Sequence, residues 1–174
     1  MVRSLGPENG PVLQAFLGGL PESERRWFRD DVTDAELVAR RLRGDRSIHL
    51  ASWEDRHLIA YAAVHPEHGS SSHVAQLTLI VSPAQRRQGI GTTMARAAVA
   101  AALQAGLKKV VVEVAADQRS ALAMFGALGF EPEALLRDHI RDRAGRLRDL
   151  ILLAHRVDET WAVMAATGVA DALG

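Results

Sequence analysis

The segment "SPAQRRQGIGTT", Ser82–Thr93, carries the most informative pattern in this chain of 174 residues. It follows an apolar run and precedes an alanine-rich segment of strong helix formers, so it is expected to join a strand to a helix. A glycine-rich turn that opens a helix presents successive backbone N–H groups, and the helix dipole adds about half a positive charge there. Gly89 and Gly91 would let an anion approach the main chain, and Arg86 and Arg87 could bind it from the side. The segment therefore predicts an anion site suited to a pyrophosphate.

Two other phosphate-binding motifs share features with this segment. The dinucleotide fingerprint also contains Gly-x-Gly, with an acidic residue about twenty positions later, where Glu113 and Asp117 stand. Its third small residue would fall on Met94, which is bulky, and the loop before Gly89 is longer than the tight turn of that motif. A phosphate-loop NTPase is disfavoured because no Gly-Lys-Ser or Gly-Lys-Thr follows the glycines. The dinucleotide interpretation is thus a weaker alternative.

Composition limits the classes of partner. Lys plus Arg total 21 and Asp plus Glu total 21, so no net field favours nucleic acid or an anionic membrane. No cysteine is present, and the sequence shows neither a signal-peptide pattern nor an apolar run long enough to span a bilayer. We therefore expect a soluble cytoplasmic protein of one domain, residues 1–174, that binds neither nucleic acid nor membrane.

The hydrophobic pattern alternates between strands and helices. Strands are predicted for "MVRSL", "RSIHLASWE", "HLIAYAAVH", "HVAQLTLIV", "KKVVVEV", "EPEALLRDHIRD" and "GRLRDLILLAHRV". Helices are predicted for "PENGPVLQAFLGGL", "PESERRWFRD", "TDAELVARRLRG", Gly91 to about Ala105 and "DQRSALAMFGALG", with a weak one in the tail. In the third of these helices Thr33 and Glu36 have capping-box spacing, and Gly44 is expected to end it. The order predicts a mixed α/β layer fold.

The segment "RRQGIG", Arg86 to Gly91, resembles the acyl-CoA motif of the GCN5-related N-acetyltransferases (GNAT), which reads Arg or Gln, two residues, Gly, one residue, then Gly or Ala. Phe125 followed by "GALGF" resembles the end of that family's last helix, and the strong similarity covers about residues 73–155. The resemblance implies a mixed, mainly antiparallel sheet of about seven strands flanked by helices, with a β-bulge or splay between the fourth and fifth strands. It implies transfer of acetyl from acetyl-CoA to an amine of a small molecule or protein.

The same resemblance implies how acetyl-CoA would be held. The pyrophosphate would meet Arg86 and the main chain of Arg87, Gln88, Gly89, Ile90, Gly91 and Thr92. The pantetheine arm and the reacting carbonyl oxygen would meet the backbone of Leu79, Ile80 and Val81. Further contacts would come from the last helix, at Gln118, Ala121 and Phe125.

Glu113 is the candidate general base. The amine must be neutral to attack a thioester, whereas an alkylamine with a pKa of about 10.4 is mostly protonated at neutral pH. Glu113 lies within the apolar run "VVVEV", where burial could raise its pKa, and its position resembles a glutamate of bacterial ribosomal-protein alanine N-acetyltransferases. The alternative is that Glu113 lies on a solvated strand face or pairs with a nearby arginine.

The sequence departs from the family pattern at two positions. Gln118 replaces the usual asparagine, and Phe125 replaces a tyrosine often proposed to protonate the departing thiolate. The second change leaves open an alternative function, a catalytically weak acyl-CoA-binding or regulatory module that keeps the fold. No metal is expected, because the spacing of the histidines in "HPEHGSSSH" fits no zinc pattern. A homodimer is possible through apolar tail residues, namely Trp161, Val163 and Met164.

Overall fold

The computed structural model describes residues 1–25, 34–43, 46–142 and 144–157. The strands are β1 (Val2–Ser4), β2 (Ile48–Glu54), β3 (His57–Pro66), β4 (Val74–Val81), β5 (Lys109–Ala115), β6 (Glu131–Arg141) and β7 (Leu147–Arg156). The helices are α1 (Gly10–Gly18), α2 (Glu22–Arg25), α3 (Ala35–Arg43), α4 (Ile90–Gln104) and α5 (Arg119–Ala127). The predicted order of strands and helices is confirmed over these residues.

The seven strands form one sheet in the order β1-β2-β3-β4-β5-β7-β6. Every neighbouring pair is antiparallel except β4 and β5, which are parallel and joined through α4. A parallel pair needs such a crossover connection, and α4 supplies it. The predicted fold class, a mixed and mainly antiparallel sheet flanked by helices, is confirmed.

The sheet opens between β4 and β5. Their pairing extends only from Val74 opposite Lys109 to Gln76 opposite Val111, although β4 continues to Val81 and β5 to Ala115. The two strands therefore separate towards their carboxyl ends, which is the predicted splay. It leaves a gap in the hydrogen-bonded ladder next to the start of α4.

Successive strand residues point to opposite faces of the sheet. Both faces carry apolar side chains, and helices cover both of them. The face under α4 and α5 buries a large apolar cluster that includes Leu77, Met94, Ala98, Val112, Phe125 and Phe130. The face under α1 and α3 buries a second cluster that includes Leu13, Leu17, Val38, Leu42, Tyr61 and Ala63. Burial on both faces supports the middle of the sheet, whereas residues 78–81 at the end of β4 are only half-buried.

The ends of two helices differ from their predictions in detail. Helix α4 begins at Ile90, one residue earlier than expected, because Gly89 adopts the left-handed conformation at its N-cap. Helix α3 is capped by Asp34, whose Oδ1 accepts hydrogen bonds from the N–H groups of Glu36 and Leu37 at 2.8 and 3.2 Å. The predicted cap Thr33 and the predicted terminus Gly44 lie outside the described residues.

The tail falls outside the described residues as well. The predicted terminal helix and the apolar residues Trp161, Val163 and Met164, on which the expectation of a homodimer rests, follow the last described residue, Val157.

Candidate functional site

The loop between β4 and α4 has the geometry of an anion site. Arg87 and Gly89 have φ values of 61° and 79°, so two residues with left-handed backbone conformation precede the helix. The first helical hydrogen bond runs from the N–H of Thr93 to the carbonyl of Gly89, at 3.0 Å. The N–H groups of Ile90, Gly91 and Thr92 precede that bond and belong to the first turn, whose donors have no partner within the helix. These donors and the positive end of the helix dipole lie beside the β4–β5 gap.

The two glycines of the loop are required for different reasons. A Cβ added to Gly89 would meet nothing within 4 Å, so the requirement there is the positive φ alone. A Cβ added to Gly91 would lie 3.0 Å from the sulfur of Met124 and 3.6 Å from Cγ2 of Val81. Gly91 thus lets α4 approach α5 and the end of β4 closely.

The Arg86 side chain is held by two groups of the protein. Its Nε donates to the carbonyl oxygen of Val81 at 3.1 Å, and its Nη2 forms an ion pair with the carboxylate of Glu24 on α2. Arg87 is exposed. Sequence reasoning did not find Glu24, because it stands 62 positions before Arg86 in the chain and no local pattern links them.

The backbone of β4 presents alternate residues to the gap. The N–H of Ser82 donates to the carbonyl of Ile59 on β3, and Ile80 lies opposite Tyr61 on β3. Because the hydrogen-bonding direction alternates along an antiparallel strand, Ile80 also bonds towards β3, whereas Leu79 and Val81 direct their N–H and C=O groups towards the gap. Of the three predicted residues, Leu79 and Val81 are therefore placed to meet a chain in the gap, and Ile80 is not.

Glu113 is exposed, so its predicted burial is wrong. Val112 and Val114 are buried under the helices α4 and α5, and the alternation of β5 turns Glu113 to the opposite face. It lies opposite Leu152 of β7 and two positions beyond Val111, the last residue of β5 that pairs with β4. The carboxylate thus stands where β5 has left β4, on the face away from α4.

The three predicted residues of α5 have distinct positions. Gln118 is exposed at the N-cap, where its carbonyl accepts hydrogen bonds from Ala121 and Leu122. Ala121 is half-buried against the core under α4. Phe125 is only 3% exposed, and its ring meets that of Phe130 edge-on with 5.0 Å between centroids. Phe125 therefore packs the core, and its side chain carries no proton to donate.

Asp117, one of the acids considered for a dinucleotide site, follows β5. Its carboxylate pairs with Nη1 of Arg148 on β7 at 3.2 Å, and Nε of Arg148 also donates to Asp142 at 3.0 Å. These contacts tie the β6–β7 hairpin to the loop after β5. The pairing accounts for Asp117 without a nucleotide.

A buried polar cluster lies on β2 and β3, apart from the gap. Nδ1 of His49 is 2.8 Å from the Tyr61 hydroxyl, and Nδ1 of His65 is 3.0 Å from Oγ of Ser47. Burial, and then the neighbouring His65, lowers the pKa of His49 to about 4. Burial raises the pKa of the Tyr61 hydroxyl. Sequence reasoning considered His65 only as part of a histidine-rich loop and did not identify His49 or Tyr61 as its partners.

Neither a metal-ligand cluster nor a membrane-spanning helix is found in the part of the chain that the structure describes. In residues 1–25, 34–43, 46–142 and 144–157, no group of three or more His, Asp or Glu side chains is arranged to hold a metal ion. Over the same residues, no helix combines the length and apolar character needed to cross a bilayer.

Solved structures with the same fold include proteins named as acetyltransferases. A structure from Salmonella typhimurium that holds its cofactor acetyl-CoA superposes with a TM-score of 0.80 over 91% of this chain and 94% of its own, at 16% identity. The ribosomal-protein-alanine N-acetyltransferase of Brucella melitensis superposes with a TM-score of 0.76 over 90% of this chain and 99% of its own, at 18% identity. At these identities the likeness concerns the fold.

Sequence comparison adds a curated relative. Mycothiol acetyltransferase of Mycolicibacterium smegmatis is 35% identical over an alignment of 91 residues that covers 48% of this chain and 30% of the relative. The match therefore spans less than a third of that protein's length.

The family itself is shown by a longer match. Residues 16–130, which include the whole β4–α4 loop and α5, match the acetyltransferase (GNAT) family. The predicted cofactor is confirmed at the level of the family, whose acetyl donor is acetyl-CoA. From the resemblance of "RRQGIG", the splayed β4–β5 pair and this match, the chain belongs to the GNAT family of acetyltransferases.

Proposed function

We propose that this protein is an N-acetyltransferase that moves the acetyl group of acetyl-CoA directly to a primary amine of a small molecule or protein. The observation that carries the proposal is the β4–β5 gap beside the first turn of α4. A strand end whose backbone groups at Leu79 and Val81 face the gap and not a neighbouring strand, next to a helix N-terminus, fits a molecule with an amide-containing arm and a pyrophosphate.

The backbone would supply most of the binding. The N–H groups at Ile90, Gly91 and Thr92 would accept the pyrophosphate, and the gap-facing groups of Leu79 and Val81 would pair with the pantetheine arm. A backbone N–H of the same strand end would also stabilise negative charge on the thioester oxygen as the amine nitrogen bonds to the carbonyl carbon. Because these donors are fixed by the sheet, they need little rearrangement during the reaction.

We propose that Glu113 takes the proton that the amine loses. Its position on the face of β5 opposite α4 would place the carboxylate on the acceptor side of the gap. Solvent exposure permits a water to relay the proton. As the new C–N bond forms, the C–S bond breaks and the thiolate leaves. A thiol has a pKa of about 8.5, so the thiolate can leave without a tyrosine at the position of Phe125.

The fold alone does not determine which amine is the acceptor. The names of the relatives mention different molecules, mycothiol in one case and a ribosomal-protein alanine in another. We propose only that the acceptor carries a primary amine. The lack of cysteine in the sequence favours the cytoplasm as its place of action.

The test begins with binding and continues with turnover. Acetyl-CoA at about one hundred times its dissociation constant should add roughly 2.7 kcal/mol to the free energy of unfolding, whereas NAD should add nothing. Release of the CoA thiol is then followed with a panel of amines that includes polyamines, amino acids and short peptides with free N-termini. Binding without release on any amine would favour the non-catalytic alternative, and stabilisation by NAD alone would overturn the proposal.

A further inference from the structure

We propose that Glu24 restrains Arg86 and thereby weakens the binding of acetyl-CoA, so that removing the Glu24 charge increases affinity. This inference rests on the proposed function, because it assumes that the loop after β4 receives the pyrophosphate. It assigns a role to a residue of α2, outside the segment that carries the acyl-CoA motif.

The restraint begins with the position of Arg86. One guanidinium nitrogen, Nη2, pairs with the Glu24 carboxylate, while Nε donates to the carbonyl of Val81 at 3.1 Å. The Glu24 side chain is 22% exposed and that of Arg86 is 46% exposed, so the pair is partly shielded from water. Two bonds in different directions fix the planar guanidinium against the end of β4.

Glu24 reaches Arg86 from an anchored turn. The N–H groups of Glu24 and Arg25 both donate to the carbonyl of Pro21, at 2.8 and 3.1 Å. The Arg25 side chain donates to the carbonyl of Gly18 at the end of α1, at 3.2 Å. Because α2 is tied to α1 in this way, the backbone at Glu24 loses little conformational entropy when the carboxylate pairs with Arg86.

Both contacts of Arg86 compete with acetyl-CoA. The Val81 carbonyl faces the β4–β5 gap, so Arg86 occupies an acceptor that the pantetheine arm would use. The Glu24 carboxylate offsets the positive charge of Arg86 and would repel a pyrophosphate brought to the same loop. Acetyl-CoA must therefore displace or share Arg86, and part of its binding energy is spent on that change.

The neighbouring residue supplies a matched control. Gln85 donates through Nε2 to the carboxylate of Glu54 on β2, at 2.8 Å. Glu54 is an exposed carboxylate beside the same loop, but its partner is an uncharged amide outside the "RRQGIG" segment. Glu54→Gln removes the same charge near the loop without releasing Arg86.

The experiment measures the dissociation constant of acetyl-CoA by calorimetry for wild type, Glu24→Gln, Glu24→Asp and Glu54→Gln. Loss of a partly shielded ion pair worth up to about 1 kcal/mol predicts binding about threefold to fivefold tighter for Glu24→Gln. Glu24→Asp keeps the charge and should stay near wild type, as should Glu54→Gln. The effect of Glu24→Gln should vanish when Arg86 is changed to alanine in both proteins, because the two changes act through one contact.

Each outcome has a defined meaning. Tighter binding that depends on Arg86 supports the restraint. Weaker acetyl-CoA binding by Glu24→Gln would show that Glu24 holds Arg86 in a position that helps binding, and would overturn the restraint. The restraint would also be overturned if Glu54→Gln tightened binding as much as Glu24→Gln, or if Glu24→Gln left the affinity unchanged. If wild type itself does not bind acetyl-CoA, the proposed function fails and the restraint with it, whereas wild-type binding with an unchanged Glu24→Gln overturns the restraint alone.

Discussion

Gly91 on α4 lies directly against Met124 on α5, so close that a Cβ at Gly91 would come within 3.0 Å of the methionine sulfur. The same Cβ would lie 3.6 Å from Val81 at the end of β4. The start of α4, the end of β4 and the last helix therefore meet at one backbone position. Three elements that are separate in sequence meet there, beside the β4–β5 gap.

Gly91→Val should destabilise the protein by about 1–3 kcal/mol, because the branched side chain must displace Met124 and press on Val81. Acetyl-CoA affinity should fall as well, since the first turn of α4 shifts. Gly126→Val on α5 is the matched control, because a Cβ there meets nothing within 4 Å. Urea unfolding of both variants checks the prediction, and equal stability of the two would contradict the packing role of Gly91.

Gly89→Ala should weaken acetyl-CoA binding through backbone strain alone. Its φ is 79°, and no neighbour obstructs a side chain, so the cost is that of the left-handed conformation, roughly 1–2 kcal/mol. Gly106→Ala, at the other end of α4, has nearly the same φ of 76° and equally open surroundings. Both variants should lose similar melting temperature in thermal unfolding, but only Gly89→Ala should lose affinity in a calorimetric titration. Loss of affinity in both would mean that the loop geometry is not specific to binding.

Glu113→Gln should lower kcat by about a hundredfold or more while leaving the dissociation constant of acetyl-CoA unchanged, as expected for loss of a general base. Stability should change little, because the side chain is exposed. The measurement requires an amine identified in the acceptor screen. Glu131→Gln on β6, also an exposed strand glutamate, serves as the control. A kcat equal to that of wild type would assign Glu113 to a merely solvated strand face.

Phe125→Leu should reduce the free energy of unfolding by about 1–2 kcal/mol, because it removes the ring that packs on Phe130 in the core. Below the unfolding transition, kcat should remain near that of wild type, since phenylalanine has no proton to give to the leaving thiolate. Steady-state kinetics and urea unfolding at one temperature test the two parts separately. A large loss of kcat in the folded variant would show that Phe125 acts on the reacting atoms.

The buried pair of His49 and Tyr61 should make stability depend on pH. The pKa of His49 is about 4 in the folded protein and about 6.5 in the unfolded chain. Between these values the unfolded state binds more protons, so the free energy of unfolding falls as the pH drops from 6.5 to 4. The loss is about 1.4 kcal/mol per pH unit, or about 3 kcal/mol in total.

The check is urea unfolding at pH 7 and pH 5 of wild type and of a double variant, His49→Leu with Tyr61→Phe. The double variant removes both members of the buried hydrogen bond, which avoids leaving a lone hydroxyl in the core. It should lose clearly less stability than wild type between the two pH values. An identical pH dependence in both proteins would show that His49 does not carry the effect.

Local patterns were enough to predict much of this protein. The segment from Arg86 to Gly91 predicted an anion-binding loop, the order of strands and helices predicted a mixed α/β layer fold, and the family resemblance implied the sheet with its splay. Glycine conformations, apolar alternation and helix propensity are properties of neighbouring residues, so they can be read without the fold. The cap of α3 was not identified in this way: the structure shows the Asp34 carboxylate accepting from the N–H groups of Glu36 and Leu37.

The features that the sequence could not determine depend on distant partners. Whether Glu113 is buried follows from which face of β5 lies under α4 and α5, and Arg86 meets Glu24 only because the fold brings α2 next to the loop after β4. Composition and periodicity do not predict such contacts, because an ion pair between residues far apart in the chain produces no pattern among neighbouring residues. The sequence by itself determined the loop and the family; the tertiary structure decided which charges stand beside the loop and which strand groups face the cleft.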